Sequence, residues 1–201
     1  SAPDPSFIGK VINGVFFHKN RLGFIADENF IMSKTADYYD FYPSTVMDVL
    51  DDDPIDIAVP SSEVAILRHA MPFNEQLILF SDKIQFAVFS GGNVFSPKNV
   101  SVDITTRFEV DRQCPPIGLG PNIYFTVPKG NSTTVREYYV QSDSVSNDAH
   151  DVTVHVPTYV ESDINLMVGS SGMDYLICGK TGESNLYVYK FHWDGEKKVQ
   201  S

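Results

Sequence analysis

The chain has 201 residues, with 15 Lys and Arg against 26 Asp and Glu, so its formal net charge is −11. Hydrophobic residues make up 42% of it, enough apolar surface to offset the entropy of chain ordering, which excludes long-range disorder. The acidic balance argues against specific nucleic-acid binding, which needs clustered Lys and Arg. No apolar run is long enough to cross a bilayer and no signal peptide is recognisable, so no membrane insertion is predicted.

In chain order, the dominant pattern is a series of four hairpins. Short runs of aromatic and β-branched residues alternate with Gly, Pro, Asn and Asp turns, a pattern typical of antiparallel strands. The predicted hairpin units lie near residues 14–34, 63–89, 123–140 and 175–193. Their spacing of roughly fifty residues is typical of β-propeller blades, and an ordinary β-sandwich meander is the alternative.

The sequence therefore predicts a mainly β fold of antiparallel hairpins and meanders, propeller-like, with few or short helices. We interpret residues 1–201 as a single β-rich region and a fragment of a longer protein, because four hairpins are few for a closed propeller. Thr45–Leu50 and Ser61–Met71 are the only helix candidates. Alternation from Val100 to Val110 predicts a long strand with one buried face, and Val152–Val156 predicts a shorter strand.

The metal-binding residue types are scattered. Cys114 and Cys178 lie in no ligand motif and are expected to be two reduced, buried thiols. The five histidines have no ligand spacing either, and no cofactor is predicted.

An acidic cluster stands out around Pro54. It could offer oxygen ligands to a hard cation such as Ca²⁺, or the acid–base pair of a glycosidase. Its spacing matches no EF-hand loop and it lacks the turn glycine, so a solvated acidic loop is the favoured interpretation and no metal site is predicted. The carboxylates that remain candidates are Asp51, Asp52, Asp53 and Asp56, with Asp48 preceding them.

The densest aromatic group lies just before these acids. Such a group can stack on sugars, become buried in a protein interface, or fill the core beneath a loop. The ligand or interface candidates are Tyr38, Tyr39, Phe41 and Tyr42. Neither a nucleophile elbow nor a nucleotide-binding loop occurs, so no catalytic residue and no enzymatic activity is predicted. A carbohydrate-binding or glycan-hydrolysing propeller remains the alternative function.

Several segments, in order and at matching spacing, resemble the tail tubular protein B (nozzle protein) family of short-tailed podophages. The likeness covers nearly all 201 residues. The segments that carry it are Pro5–Gly9, Phe16–Phe24, Asp52–Ala58, Leu77–Phe86, Ser96–Thr106 and Asp151–Tyr159.

This resemblance implies a structural virion protein that forms part of a ring-shaped conduit for DNA ejection into the host. It implies a β-propeller-like region, a sixfold ring of copies, contacts with an adaptor ring and tail fibres, and genomic DNA passing through without specific binding. It also implies assembly in the host cytoplasm and location in the virion tail. No catalytic residue is carried over, because the role of the family is architectural.

Overall fold

The protein forms two compact units, Ser1–Phe108 and Glu109–Ser201, each built from two four-stranded antiparallel sheets. The computed structural model describes residues 2–140, 147–195 and 197–201, and these residues contain strands, turns and irregular segments but no helix. In every sheet the strands lie side by side in chain order, which makes each sheet a simple meander. The predicted antiparallel β fold is thus confirmed.

Unit 1 contains the first two meanders. Its strands are β1 Ile12–His18, β2 Arg21–Ala26, β3 Asn29–Met32, β4 Ile55–Ala58, β5 Leu67–Phe73, β6 Gln76–Ser81, β7 Gln85–Phe89 and β8 Ser101–Thr106. Lys19 and Asn20 join β1 to β2 as a two-residue loop, and both have positive φ, as the tight turns of twisted hairpins require. Strand β1 lies beside β5, and the Asn13 side-chain amide donates to the Leu67 carbonyl at 2.9 Å.

The core of unit 1 is made by side chains from both of its sheets. Strand register aligns Phe16, Gly23, Met32 and Ile55 across the first sheet, where the glycine leaves room for the Phe16 ring. These residues share one apolar cluster with second-sheet residues such as Phe86. Full burial of each large apolar side chain contributes about 1.5–3 kcal/mol, so this cluster holds the two meanders together.

Unit 2 contains the other two meanders. Its strands are β9 Ile117–Leu119, β10 Asn122–Lys129, β11 Ser132–Val140, β12 Asn147–Asp151, β13 Leu166–Ser170, β14 Tyr175–Gly179, β15 Leu186–Asp194 and β16 Lys197–Gln200. Strand β9 lies near β13, so here too the first strands of the two meanders approach each other. Their shared core includes Tyr124, Val135, Leu176 and both cysteines, which are free and buried as predicted.

The turns predicted at the four hairpins lie inside the central strand pairs of the four meanders: β2–β3, β6–β7, β10–β11 and β14–β15. A four-stranded meander is the unit from which propeller blades are made. Closure into a propeller, a single β-rich region over 1–201 and a longer parent protein stay predictions.

Both helix candidates were wrong, and short-range hydrogen bonds from side chains close turns and bends in their place. The Thr45 hydroxyl accepts from the Met47 amide at 3.1 Å, and Asp53 accepts from the Leu50 amide at 2.8 Å. In the second candidate, Ser61 accepts from the Glu63 amide at 3.1 Å, and strand β5 then begins at Leu67. Such local bonds favour turns over helices.

Two strand predictions also need correction. The strand expected through Val110 ends at Thr106, because the buried Gln85 amide bonds both the amide and the carbonyl of Phe108 and replaces backbone pairing. The face of this strand that was predicted to be buried is only partly so, since Ile104 is exposed at the edge of the sheet. The segment Val152–Val156 forms turns: the Asp151 carboxylate accepts from the Thr153 amide at 2.8 Å and ends β12 there.

Candidate interaction surface

A fully buried arginine organises the irregular segment between β3 and β4. Arg21 begins β2, and its Nη1 donates to the carbonyls of Ser33 at 2.8 Å and Asp53 at 2.6 Å. Its Nη2 donates to the carbonyl of Asp51 at 2.7 Å. Burial lowers the pKa of this guanidinium, which the nearby acidic groups of Asp52 and Asp53 partly counteract. Arg21 therefore fixes the base of the loop that precedes β4.

The carboxylate of Asp53 closes that loop from inside. Its two oxygens accept from the amides of Ser44 and Leu50, each at 2.8 Å, so one side chain joins both ends of residues 44–50. Burial alone would raise the pKa of Asp53, but the amides of Ser44 and Leu50 outweigh it and hold the pKa below its ordinary value. We call residues 44–50 the apolar loop.

The apolar loop directs large side chains to solvent. Val46 is 79% exposed and Met47 88% exposed, and Val49 and Leu50 are also exposed. Tyr39, in the preceding segment, is 92% exposed. Scattered exposed apolar residues are ordinary, but several on one short, internally tied loop are typical of an interaction site.

The predicted acidic cluster divides into separate structural roles. Asp53 is internal, whereas Asp51, Asp52 and Asp56 are exposed. Asp51 lies 3.8 Å from the Lys98 ammonium, and Asp56 accepts from the Ser6 amide at 2.7 Å. Within residues 2–140, 147–195 and 197–201, no three His, Cys, Asp or Glu side chains are grouped to hold a metal ion.

The predicted aromatic group is likewise divided. Phe41 packs against Phe7 and Phe24, with ring centroids 5.2 and 5.4 Å apart, and covers part of the first sheet. Tyr38 donates its hydroxyl to Asn20 at 2.7 Å, and Tyr42 donates to the Asp4 carboxylate at 3.2 Å.

A groove of about 620 Å³ runs beside the apolar loop. Prolines and apolar side chains form much of its wall, and Asp48, Asp53 and Asp56 also line it. The apolar members that matter most are Pro3, Pro5, Phe41, Pro43, Val46 and Met47. Such a groove suits a peptide segment in which an apolar side chain lies beside a Lys or Arg.

Unit 2 holds a buried charged cluster of its own. The Glu137 carboxylate accepts hydrogen bonds from the Tyr124 hydroxyl and the Lys198 ammonium. The ammonium also lies 4.8 Å from the ring centre of Phe191 and 5.3 Å from that of Tyr189. Burial, reinforced by Glu137, raises the pKa of Tyr124. Lys198 occupies this aromatic enclosure itself, so the cluster ties β16 to β11 and β10.

Unit 2 also contains a cavity of about 440 Å³ with a mainly apolar wall. Val135, Leu176, Tyr187 and Cys178 contribute to it, and burial raises the pKa of the Cys178 thiol to about 12. A thiol kept protonated is a poor nucleophile, so this cavity offers apolar contact rather than covalent chemistry.

None of the described residues belongs to a helix long and apolar enough to cross a membrane.

Comparison with known proteins identifies the family of this chain. A family model described as bacteriophage nozzle protein matches residues 1–201. The chain belongs to the bacteriophage nozzle protein family. Tail tubular protein gp12 of Escherichia phage T7 is 40% identical to it over 213 aligned positions, which cover 98% of this chain and 27% of that protein. The resemblance seen in the sequence is confirmed, and the chain is a structural component of the phage tail.

Sequence reasoning singled out the aspartates and the aromatic group, but it missed the exposed Val46 and Met47 and the buried arginine that fixes their loop. Arg21 reads as an ordinary turn-flanking cation, and only its position just after a two-residue hairpin turn was a usable signal. The cluster of Glu137 and Lys198 joins residues 61 positions apart and leaves no local signature.

Proposed function

We propose that this chain is a building segment of the tail nozzle, a ring-shaped conduit through which phage DNA is ejected into the host. The match of the nozzle family model to the whole chain is the observation that carries the proposal. The T7 relative is named a tail tubular protein, and the chain spans about a quarter of its length. The role of the whole polypeptide therefore enters here as a proposal.

The physical properties of the chain support a conduit. Four meanders with two shared apolar cores form a scaffold whose strands are tied by backbone hydrogen bonds. The formal charge of −11 disfavours adhesion of phosphates, so DNA would pass without being retained. We propose that the chain acts without catalysis, and this is supported by the hydrogen bonds that Asp53 accepts from two backbone amides and Asp56 from the Ser6 amide and the Asn29 side chain.

The proposed partners are other copies in a sixfold ring, an adaptor ring and the tail fibres. Electron microscopy of the polypeptide that carries this chain, alone and mixed with its adaptor ring, tests this. We expect sixfold rings or a cone that caps the adaptor. Isolated monomers that ignore the adaptor would contradict the proposal.

A separate measurement tests the passage of DNA. Fluorescence anisotropy of a labelled duplex should show no saturable binding at about 50 mM salt, where contacts by Lys and Arg would be strongest. Tight binding that weakens steeply with salt would contradict a non-adhesive conduit.

A further inference from the structure

We propose that residues 37–56, here called the 37–56 surface, dock a segment of a different tail protein that presents apolar side chains flanked by Lys or Arg. The inference rests on the proposed nozzle function and names the chemistry of one partner. Three independent features carry it: exposed apolar side chains, a loop fixed before any partner binds, and an excess of negative charge.

Most of the exposed apolar side chains of the 37–56 surface belong to the apolar loop, and Tyr39 precedes it in the chain. Tyr39, Val46 and Met47 each expose more than three quarters of their surface, and the groove beside the apolar loop continues this apolar surface inward. Met is an adaptable contact residue and Tyr a rigid one, and both are enriched in the cores of protein interfaces.

The loop is fixed by buried polar groups. Asp53 binds the amides at both of its ends, and Arg21 binds the carbonyls of Asp51 and Asp53 behind it. Because the loop is already fixed, it loses less conformational entropy when a partner binds, which favours association. The buried Arg21 and Asp53 therefore hold an exposed segment in one conformation.

The charge of the 37–56 surface identifies its partner as basic. The segment has seven aspartates and neither Lys nor Arg. The neighbouring lysines bind two of these acids: Lys34 lies 2.5 Å from Asp40, and Lys98 lies 3.8 Å from Asp51. Arg21 is a third cation beside these acids, so the seven aspartates leave an excess of negative charge, which would steer a Lys- or Arg-bearing segment to the apolar loop.

A second copy of unit 1 fits less well as the occupant. Unit 1 has eight Lys and Arg residues. Six are engaged within the unit: Lys10, Lys19, Lys34, Arg68 and Lys98 in ion pairs, and Arg21 in the buried carbonyl cluster. The 37–56 surface would be repelled by the acidic unit 1 of another copy, which disfavours pairing between two copies of unit 1 here.

The test places a photo-crosslinking amino acid, p-benzoylphenylalanine, at Met47 of the full nozzle polypeptide in assembled tails. Val64 is the matched control, because it is also an exposed apolar residue of unit 1. We expect Met47, and not Val64, to crosslink to a peptide of another tail protein that contains both apolar and basic residues. Mass spectrometry of the crosslinked peptides reads this directly.

Crosslinks to another copy of this chain, to a peptide without Lys or Arg, or at the level of the Val64 control would overturn the inference. In those cases the polypeptide is still present in the tail, so the proposed function stands. Absence of the polypeptide from purified tails would overturn both.

Charge reversal gives a second measurement on the same polypeptide. Asp48→Lys with Asp52→Lys should weaken binding to the crosslinked partner by about tenfold or more at low salt. Glu63→Lys with Asp103→Lys is the matched control, since both are exposed acids of unit 1 outside the surface, and should change affinity less than twofold. Equal effects of the two pairs would reduce the inference to general electrostatics and overturn it.

Discussion

Replacing Arg21 by Met removes the three hydrogen bonds that fix the segment before β4 while keeping an unbranched side chain of similar length. Hydrogen bonds from a charged donor contribute about 1.5–3 kcal/mol each, which would give a sum above 4 kcal/mol. Two terms reduce this loss. Met avoids the burial of a guanidinium whose Nε has no hydrogen-bond partner, and the carbonyl of Asp51 belongs to an exposed residue, where water can replace the lost bond. We expect unit 1 to lose about 2–4 kcal/mol of unfolding free energy.

The measurement must report on unit 1 alone. The single tryptophan, Trp193, lies in unit 2, so its fluorescence follows that unit and serves as an internal control. Hydrogen exchange of peptides covering residues 18–25 and 43–56, with urea unfolding followed by circular dichroism, reports on unit 1. We expect faster exchange over residues 43–56 in Arg21→Met and an unchanged Trp193 transition.

Two comparison variants separate the explanation from general damage. Arg21→Lys keeps the charge but cannot bond three carbonyls from one planar group, so it should lie between the wild type and Arg21→Met. Lys83→Met removes an exposed cation of unit 1 and should change stability by less than about 0.5 kcal/mol. If Arg21→Met behaves like Lys83→Met, the reasoning about the buried carbonyl cluster is refuted.

Three further changes probe other parts of the fold. Lys198→Met leaves the Glu137 carboxylate buried without its cation and should destabilise unit 2 by about 3–5 kcal/mol in urea unfolding, whereas the double variant with Glu137→Gln should recover most of the loss. Burial lowers the pKa of His18 to about 4, so on acidification the unfolded chain binds a proton at this residue before the folded chain does. The free energy of unfolding therefore has its full value above pH 6.5 and falls by about 3 kcal/mol towards pH 4. His18→Gln should flatten that slope relative to exposed His155→Gln, and equal slopes would contradict the assignment. Gly23→Ala places a Cβ inside van der Waals contact of a buried phenylalanine ring and should cost about 1–3 kcal/mol, read as a lower urea midpoint.

Local signals explain which strands were predictable. The central pair of each meander has two apolar runs joined by a short turn, as in β2–β3 and β6–β7, so both partners lie within one sequence window. Strand β4 was harder, because its pairing depends on residues that are distant in the chain. Strand β4 pairs with β3 only after a segment of more than twenty residues, which carries no turn signature that points back to the sheet.

The contrast between local and long-range signals also explains which parts of the candidate site could be predicted. The aspartates and aromatic residues of the 37–56 surface were recognisable because they are concentrated in the sequence. Their separate roles were not, since Asp53 is internal only because the loop folds around its carboxylate. Long-range polar contacts decide which member of a cluster is buried and which faces solvent.

In each unit, a buried cation is used where sheet hydrogen bonding ends. Arg21 satisfies carbonyls of the loop before β4, and Lys198 joins the edge strand β16 to Glu137. Loops and edge strands are where a β protein opens most readily, because few neighbours hold their backbone. Fixing them from inside lets exposed side chains such as Met47 keep one arrangement before a partner arrives, so the affinity of assembly depends on contact and charge rather than on ordering the loop.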